Sequence, residues 1–356
     1  MGAKMAIGRR VLLGALPLLA LPVRAGGMAP PPPSWRGANL TRTPQAPLGS
    51  DACGRSLQAL KDLGADSVAL IPFLWQASPQ ATQIGPGSDF GLEELRVGIR
   101  QARAIGLKVM VKPHVWVPET WAGAVEPQGG EQGWADWFGG YGSALETLAR
   151  LAAAEKAEAL AIGTELRGTS HRPEWASLIA RLRPLYPGLL TYVAHWDGEV
   201  ARVPFWGLLD AASVSLYPPL GADEAGIEGA IARHANQLVA WRDGIGKPLW
   251  VAELGLRSAQ AAQVKPWESP EEREAIPDQN VQARVLARWL AALDQRGIGD
   301  MLVYRWFSDP GIGGPTDTDF TIQGKRAQDV LHCWFTGRCD PWAATLAEAA
   351  KDYSRP

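Results

Sequence analysis

The feature that most constrains this chain is a rhythm: eight short apolar runs, rich in β-branched residues, alternate with helix-like stretches. The runs cover residues 36–40, 67–73, 108–114, 159–166, 190–195, 212–217, 249–254 and 301–307. Consecutive parallel strands need a long connection that returns the chain to the starting end of the sheet, so this order predicts parallel strands with helical crossovers. The stretches between the runs fit that role. Residues 92–105 repeat apolar side chains at three- and four-residue spacing and stop at Gly106, and Gly64 and Gly297 mark similar stops.

Eight strands in this order can close into a barrel or stay open as a doubly wound sheet, and the placement of polar and aromatic residues decides between them. Asn39, His114, Glu165, His195, Tyr217, Glu253 and Trp306 all fall at the C-terminal ends of runs. In a barrel those ends converge on one mouth; in an open sheet they spread along a crevice. No Gly-x-Gly-x-x-Gly follows the first run, which counts against dinucleotide binding. The chain is therefore expected to be an α/β protein built as a single (β/α)8 TIM barrel, and 356 residues suit one barrel with enlarged loops. Residues 260–279, charged and carrying Pro266, Pro270 and Pro277, read as a long surface loop after the seventh strand.

The N-terminus reads as targeting rather than structure. Arg9-Arg10 precede an apolar run over residues 11–23, followed by Val23-Arg24-Ala25, so residues 1–27 match a secretory signal peptide with partial similarity to the twin-arginine type. The run falls short of the roughly 20 residues that span a bilayer, so an exported, periplasmic or secreted protein is expected, with no stable membrane insertion after cleavage. Residues 28–34 form a proline-rich linker, 35–345 the catalytic domain and 346–356 a C-terminal tail. Cys333 and Cys339 are expected to bridge, leaving Cys53 free and buried. No further cysteine or histidine pair has zinc-ligand spacing, so no metal site is expected.

A net charge of -2 shows no basic bias, and nucleic acid is not an expected partner. Sixteen Trp against seven Phe and six Tyr is an unusual balance; indole faces grip the apolar sides of sugar rings, with core filling as the competing use. The sharpest signal is a pair of similar strand ends, Ala161-Ile162-Gly163-Thr164-Glu165-Leu166 and Trp250-Val251-Ala252-Glu253-Leu254-Gly255. A carboxylate in an apolar run needs partners or a task. Two facing carboxylates suit glycosidic cleavage: one gives a proton to the departing oxygen, the other stays ionised, and a gap of about 5 to 5.5 Å permits direct attack with retention.

At this point the residues resemble a known family. Glutamates ending the fourth and seventh strands are the signature of clan A glycoside hydrolases. Several stretches are most similar to family 113, whose characterised members are β-mannanases: Lys112-Pro113-His114, Trp134 to Tyr141, Ile162-Gly163-Thr164-Glu165-Leu166, Ser215-Leu216-Tyr217-Pro218-Pro219, Ala252-Glu253-Leu254-Gly255 and Tyr304-Arg305-Trp306. The resemblance implies a retaining endo-acting hydrolase of a β-linked polysaccharide, mannan first, with Glu165 as acid/base, Glu253 as nucleophile and Tyr217 donating to Glu253. It implies substrate contacts from Asn39, His114, Trp116, Thr164 and His195, with Trp306 flooring the subsite on the nonreducing side and Trp121 further out. Thr164 stands where much of the clan has Asn. The mechanism needs no cofactor, the partner is a poly- or oligosaccharide, and the chain is expected to act as a monomer. A noncatalytic glycan-binding barrel in exopolysaccharide or envelope assembly is the alternative reading.

Overall fold

The computed structural model describes residues 1–2, 34–87 and 91–353. The expected signal segment and linker thus lie outside the described residues, apart from Met1, Gly2 and Ser34. In chain order the elements are β1 (Arg36–Thr41), α1 (Asp51–Asp62), β2 (Ser67–Leu70), β3 (Phe73–Gln76), β4 (Ile84–Pro86), α2 (Leu92–Ala104), β5 (Lys108–Val111), β6 (His114–Trp116), α3 (Gly130–Ala154), β7 (Ala159–Thr164), α4 (Glu174–Leu182), β8 (Leu189–His195), β9 (Ala211–Leu216), α5 (Glu224–Ile245), β10 (Leu249–Leu254), α6 (Gln279–Asp294), β11 (Met301–Phe307), α7 (Arg326–Thr336) and α8 (Pro341–Tyr353). Eight of the strands close in parallel as β1-β11-β10-β9-β8-β7-β5-β2. This is the single (β/α)8 barrel expected from the run order together with the polar strand ends.

Three details differ from the sequence reading. The runs 67–73 and 108–114 each split at a proline, Pro72 and Pro113, which has no N–H to continue the ladder. The pieces beyond, β3 and β6, pair with each other, and β3 also pairs with β4, in a small rim sheet. Between β8 and β9 the crossover is two short 3-10 turns, Glu199–Ala201 and Trp206–Leu208, instead of a helix. The stretch set apart as a C-terminal tail includes the second half of α8: Ala350 is buried, and Leu346 packs on the same core, so an apolar stripe holds α8 down.

The barrel interior is filled from below by Trp35, Ala69, Met110, Ala159, Ala211, Trp250 and Leu302, with the two indoles 5.4 Å apart. Ala161, Val193 and Ala252 form a second small cluster. The larger core lies between strands and helices. There Trp137 stacks on Tyr141 at 4.7 Å, and Trp175 meets Tyr192 and Phe205 at 5.3 Å, so the Trp134–Tyr141 motif serves packing. Cys333, in the last turn of α7, is joined in a disulfide to Cys339 beyond it, and Cys53 is free and buried in α1.

Three strands carry one residue more than their neighbours can pair. On β7, Ala161 and Thr164 face Thr191 and Val193; on β10, Val251 and Glu253 face Val214 and Ser215; on β11, Val303 and Trp306 face Ala38 and Leu40. Each extra residue breaks the two-residue alternation of side chains just below the C-terminal end of its strand. The bulges decide which groups reach the mouth.

Candidate active site

Glu253 sits at the end of β10, almost fully buried, and its bulge turns it into the barrel while Leu254 joins the outer core. Lys112, directly after β5 and fully buried, bonds Glu253 Oε1 through Nζ. His114 Nε2 stands 3.1 Å from the same oxygen, and the Tyr217 hydroxyl donates to Oε2 at 2.9 Å. Burial alone would raise the carboxyl's pKa, but the Lys112 charge, His114 and these bonds hold it well below the usual carboxylate range. Glu253 is therefore ionised at neutral pH.

Glu165 follows β7 and is half-buried. Its N–H donates to Val193 O at 2.8 Å, and Ser215 Oγ is hydrogen-bonded to its Oε1. Its backbone lies in the left-handed region at φ 55°, which costs a non-glycine residue about 1 kcal/mol or more and persists where surrounding contacts impose it. Burial, then the negative charge of Glu253, push its pKa up to about 8. The carboxyl group is thus protonated at neutral pH. Two carboxyl groups on facing strands, held in opposite protonation states by their surroundings, make an acid and an ionised carboxylate from one residue type.

Of the other expected site residues, His195 ends β8 with Nδ1 3.1 Å from Asp197 Oδ1, and its ring meets Trp121 at 4.8 Å and Trp196 at 5.2 Å. Burial lowers its pKa against the pull of Asp197. Trp116 lies exposed on β6, 5.8 Å from Trp75 and 6.1 Å from Phe73, whose ring is 5.9 Å from His114.

Three residues expected to contact substrate are placed elsewhere. Asn39 is fully buried beneath the mouth, and its Nδ2 donates to Ala252 O at 3.0 Å and Val303 O at 3.3 Å, carbonyls in the bulged stretches of β10 and β11. Thr164 is buried as well, with Oγ1 on Pro113 O at 3.3 Å, tying β7 to the β5 end. Trp306 is buried on the outside of the barrel, and its Nε1 donates to Ser56 Oγ of α1 at 2.8 Å. The cause is the β11 bulge. Counting from the inward Leu302, an unbroken strand would aim residue 306 into the mouth; the extra residue turns it outward and leaves Tyr304 facing in. Tyr304 meets Tyr217 edge-on at 6.3 Å, and its hydroxyl accepts from Arg305 at 3.3 Å.

The sequence reading also passed over Lys112 and Ser215 as site residues, although both lie inside motifs it singled out. A lone lysine at an inward position of the apolar strand Val109-Met110-Val111-Lys112 was the available signal, since a buried cation needs a buried anion.

The comparisons with known proteins agree with this geometry. The model of glycoside hydrolase family 113 matches residues 42–325. The chain belongs to glycoside hydrolase family 113. It is similar in structure to the family 113 β-mannanase AaManA of Alicyclobacillus acidocaldarius, solved in complex with ManMIm, with a TM-score of 0.76 and 25% identity over 85% of this chain and 97% of that one. A second family 113 β-1,4-mannanase aligns with a TM-score of 0.75 and 22% identity over 86% of this chain and 99% of that one. A family 5 mannosidase of Rhizomucor miehei shares the fold at a TM-score of 0.57 and 11% identity over 90% of this chain and 95% of that one. No curated protein matches the chain. As a member of family 113 the protein is a glycoside hydrolase, and its substrate is a carbohydrate. Among the described residues no helix is long and apolar enough to cross a membrane.

Proposed function

We propose that the protein is an exported, retaining endo-hydrolase of a β-linked polysaccharide, with β-mannan as the first substrate, in which Glu165 is the acid/base and Glu253 the nucleophile. The observation that carries this reading is the unequal surroundings of the two carboxyl groups, Glu253 bonded by Lys112 and Tyr217 beside His114, and Glu165 half-buried with the Ser215 hydroxyl on its Oε1. Glu253, ionised and oriented by Lys112 and Tyr217, attacks the anomeric carbon while the Glu165 proton passes to the departing oxygen. The glycosyl group is then esterified to Glu253. Glu165, now ionised, takes a proton from water, which attacks the same carbon and releases Glu253. Tyr304 floors the subsite at the cleaved bond, and Trp116 with Phe73 lines the side next to His114 and Glu253.

Mannan is the first choice because the family 113 structures similar to this chain are β-mannanases. The test is hydrolysis of mannan, glucomannan, cellulose derivatives and xylan followed by NMR of the first-formed anomer. Release of the β-anomer from mannan supports the reading. Release of the α-anomer overturns retention, and Glu165→Gln or Glu253→Gln variants that keep wild-type rates overturn the residue roles.

A further inference from the structure

The tryptophans are sorted by face. Among the described residues the exposed ones are Trp75, Trp116, Trp121 and Trp267, and all four lie in segments leaving the C-terminal ends of barrel strands. Two of them, Trp75 and Trp116, belong to the rim beside His114 and Glu253. Of the other two, Trp121 meets His195 directly and Trp267 reaches it through Trp196, at the end of the strand whose Val193 carbonyl holds the Glu165 backbone. Trp121 meets the His195 ring at 4.8 Å. Trp196 meets it at 5.2 Å and stacks with Trp267 at 5.9 Å and 22°.

Both exposed indoles on this second side are held in place. Trp121 lies flat over Gly123, where even a methyl group would come within 2.2 Å of the ring. Trp267 sits in the long loop after β10, which the buried Arg257 guanidinium pins by donating to Ser269 O at 3.1 Å and Arg273 O at 2.9 Å. Trp267 is 45% exposed and Trp121 38% exposed, and water covers faces that the fold has already ordered. Ordered apolar faces bind without a further ordering cost.

From this arrangement we infer that Trp121, Trp196 and Trp267, gathered around His195, form the binding track for the leaving-group half of a β-linked glycan chain. The inference rests on the proposed function. The proton donor must adjoin the departing oxygen, and His195 ends β8, which pairs with β7 ahead of Glu165 and holds the Glu165 backbone, whereas Trp116 and Phe73 group with His114, which stands against Glu253. The occupant is an unbranched run of pyranose units, whose flat apolar faces match the indole faces and whose hydroxyls reach His195. With one aromatic track on each side of the carboxyl pair, the site grips a chain in its interior.

The test compares two substrates of the same enzyme. β-1,4-Mannan fills both halves of the cleft, whereas β-mannobiosyl fluoride offers only a fluoride leaving group and places nothing on the proposed track. For Trp267→Ala and Trp121→Ala, KM for mannan should rise roughly tenfold with kcat little changed, so the ratio of kcat/KM for mannan over fluoride falls by a similar factor. Trp267→Phe, which keeps an aromatic face, should recover most of that ratio. An unchanged ratio, or equal losses on both substrates, overturns the track. A wild-type enzyme inert on both substrates overturns the proposed function, and the track with it.

Discussion

Replacing Glu165 with Gln should abolish turnover and yet stabilise the fold, by an amount that grows with pH. The native carboxyl holds its proton up to about pH 8, against an ordinary value of 4.5 in the unfolded chain. Between those two values the native state binds more protons than the unfolded one, so stability falls as pH rises through this window and levels off above it. At about 1.4 kcal/mol per pH unit the full gap corresponds to about 5 kcal/mol. Because the carboxyl is half-open to the mouth, solvent screens part of this, and about half, roughly 2 to 3 kcal/mol, is the expected cost above pH 8. Gln is close in shape, can still bond Ser215, and does not titrate. The Tm of Glu165→Gln should therefore match wild type near pH 4.5 and exceed it by roughly 3 to 6 °C at pH 8.5, read by scanning calorimetry across a buffer series. Adding Glu253→Gln to both proteins should narrow the gap, since the Glu253 charge contributes to the shift after burial. A Tm difference that is flat with pH, or a Glu165→Gln protein less stable than wild type at pH 8.5, would refute the reasoning.

The same two shifts set the activity profile: kcat/KM should fall through an alkaline limb near pH 8 as Glu165 loses its proton, and its acid limb should lie well below pH 4.5, as initial rates across a pH series will show. Lys112→Met leaves the buried Glu253 carboxylate without its main compensating charge, so urea unfolding should show a loss of about 3 to 5 kcal/mol and the acid limb should move to higher pH. Tyr217→Phe removes the bond to Glu253 Oε2 and should lower kcat about tenfold to a hundredfold with KM little changed, in steady-state kinetics on mannan. Burial raises the Cys53 thiol to about 11, so a thiol reagent at pH 8 should leave it unreacted in native protein and modify it once urea unfolds the chain.

Barrel order, strand count and both carboxylates were legible in the sequence because each rests on a local pattern: run length, β-branching, a glycine stop, or a charge ending an apolar run. What escaped depends on partners far apart in the chain. Trp306 and Asn39 were assigned to the mouth by their position at strand ends, yet the direction of Trp306 and the carbonyl partners of Asn39 depend on the bulges, which appear only when β11 and β10 are paired with their neighbours. Lys112 and Ser215 lay inside recognised motifs, but their tasks follow from carboxylates that are 141 and 50 residues away in the chain. Trp267 carries no local sign of interest; its place beside Trp196 comes from a loop that Arg257 folds back.

The three bulges also make this site sensitive to counting. A substitution at the mouth changes one group and leaves the rest aimed as before. Removing a single residue from β7, β10 or β11 while the bulge is kept would slip one part of the strand by a residue and exchange the inward and outward faces of that part, whatever the identity of its side chains. Chain length at these three places is therefore inherited information in its own right, and within the family deletions there should be far rarer than replacements.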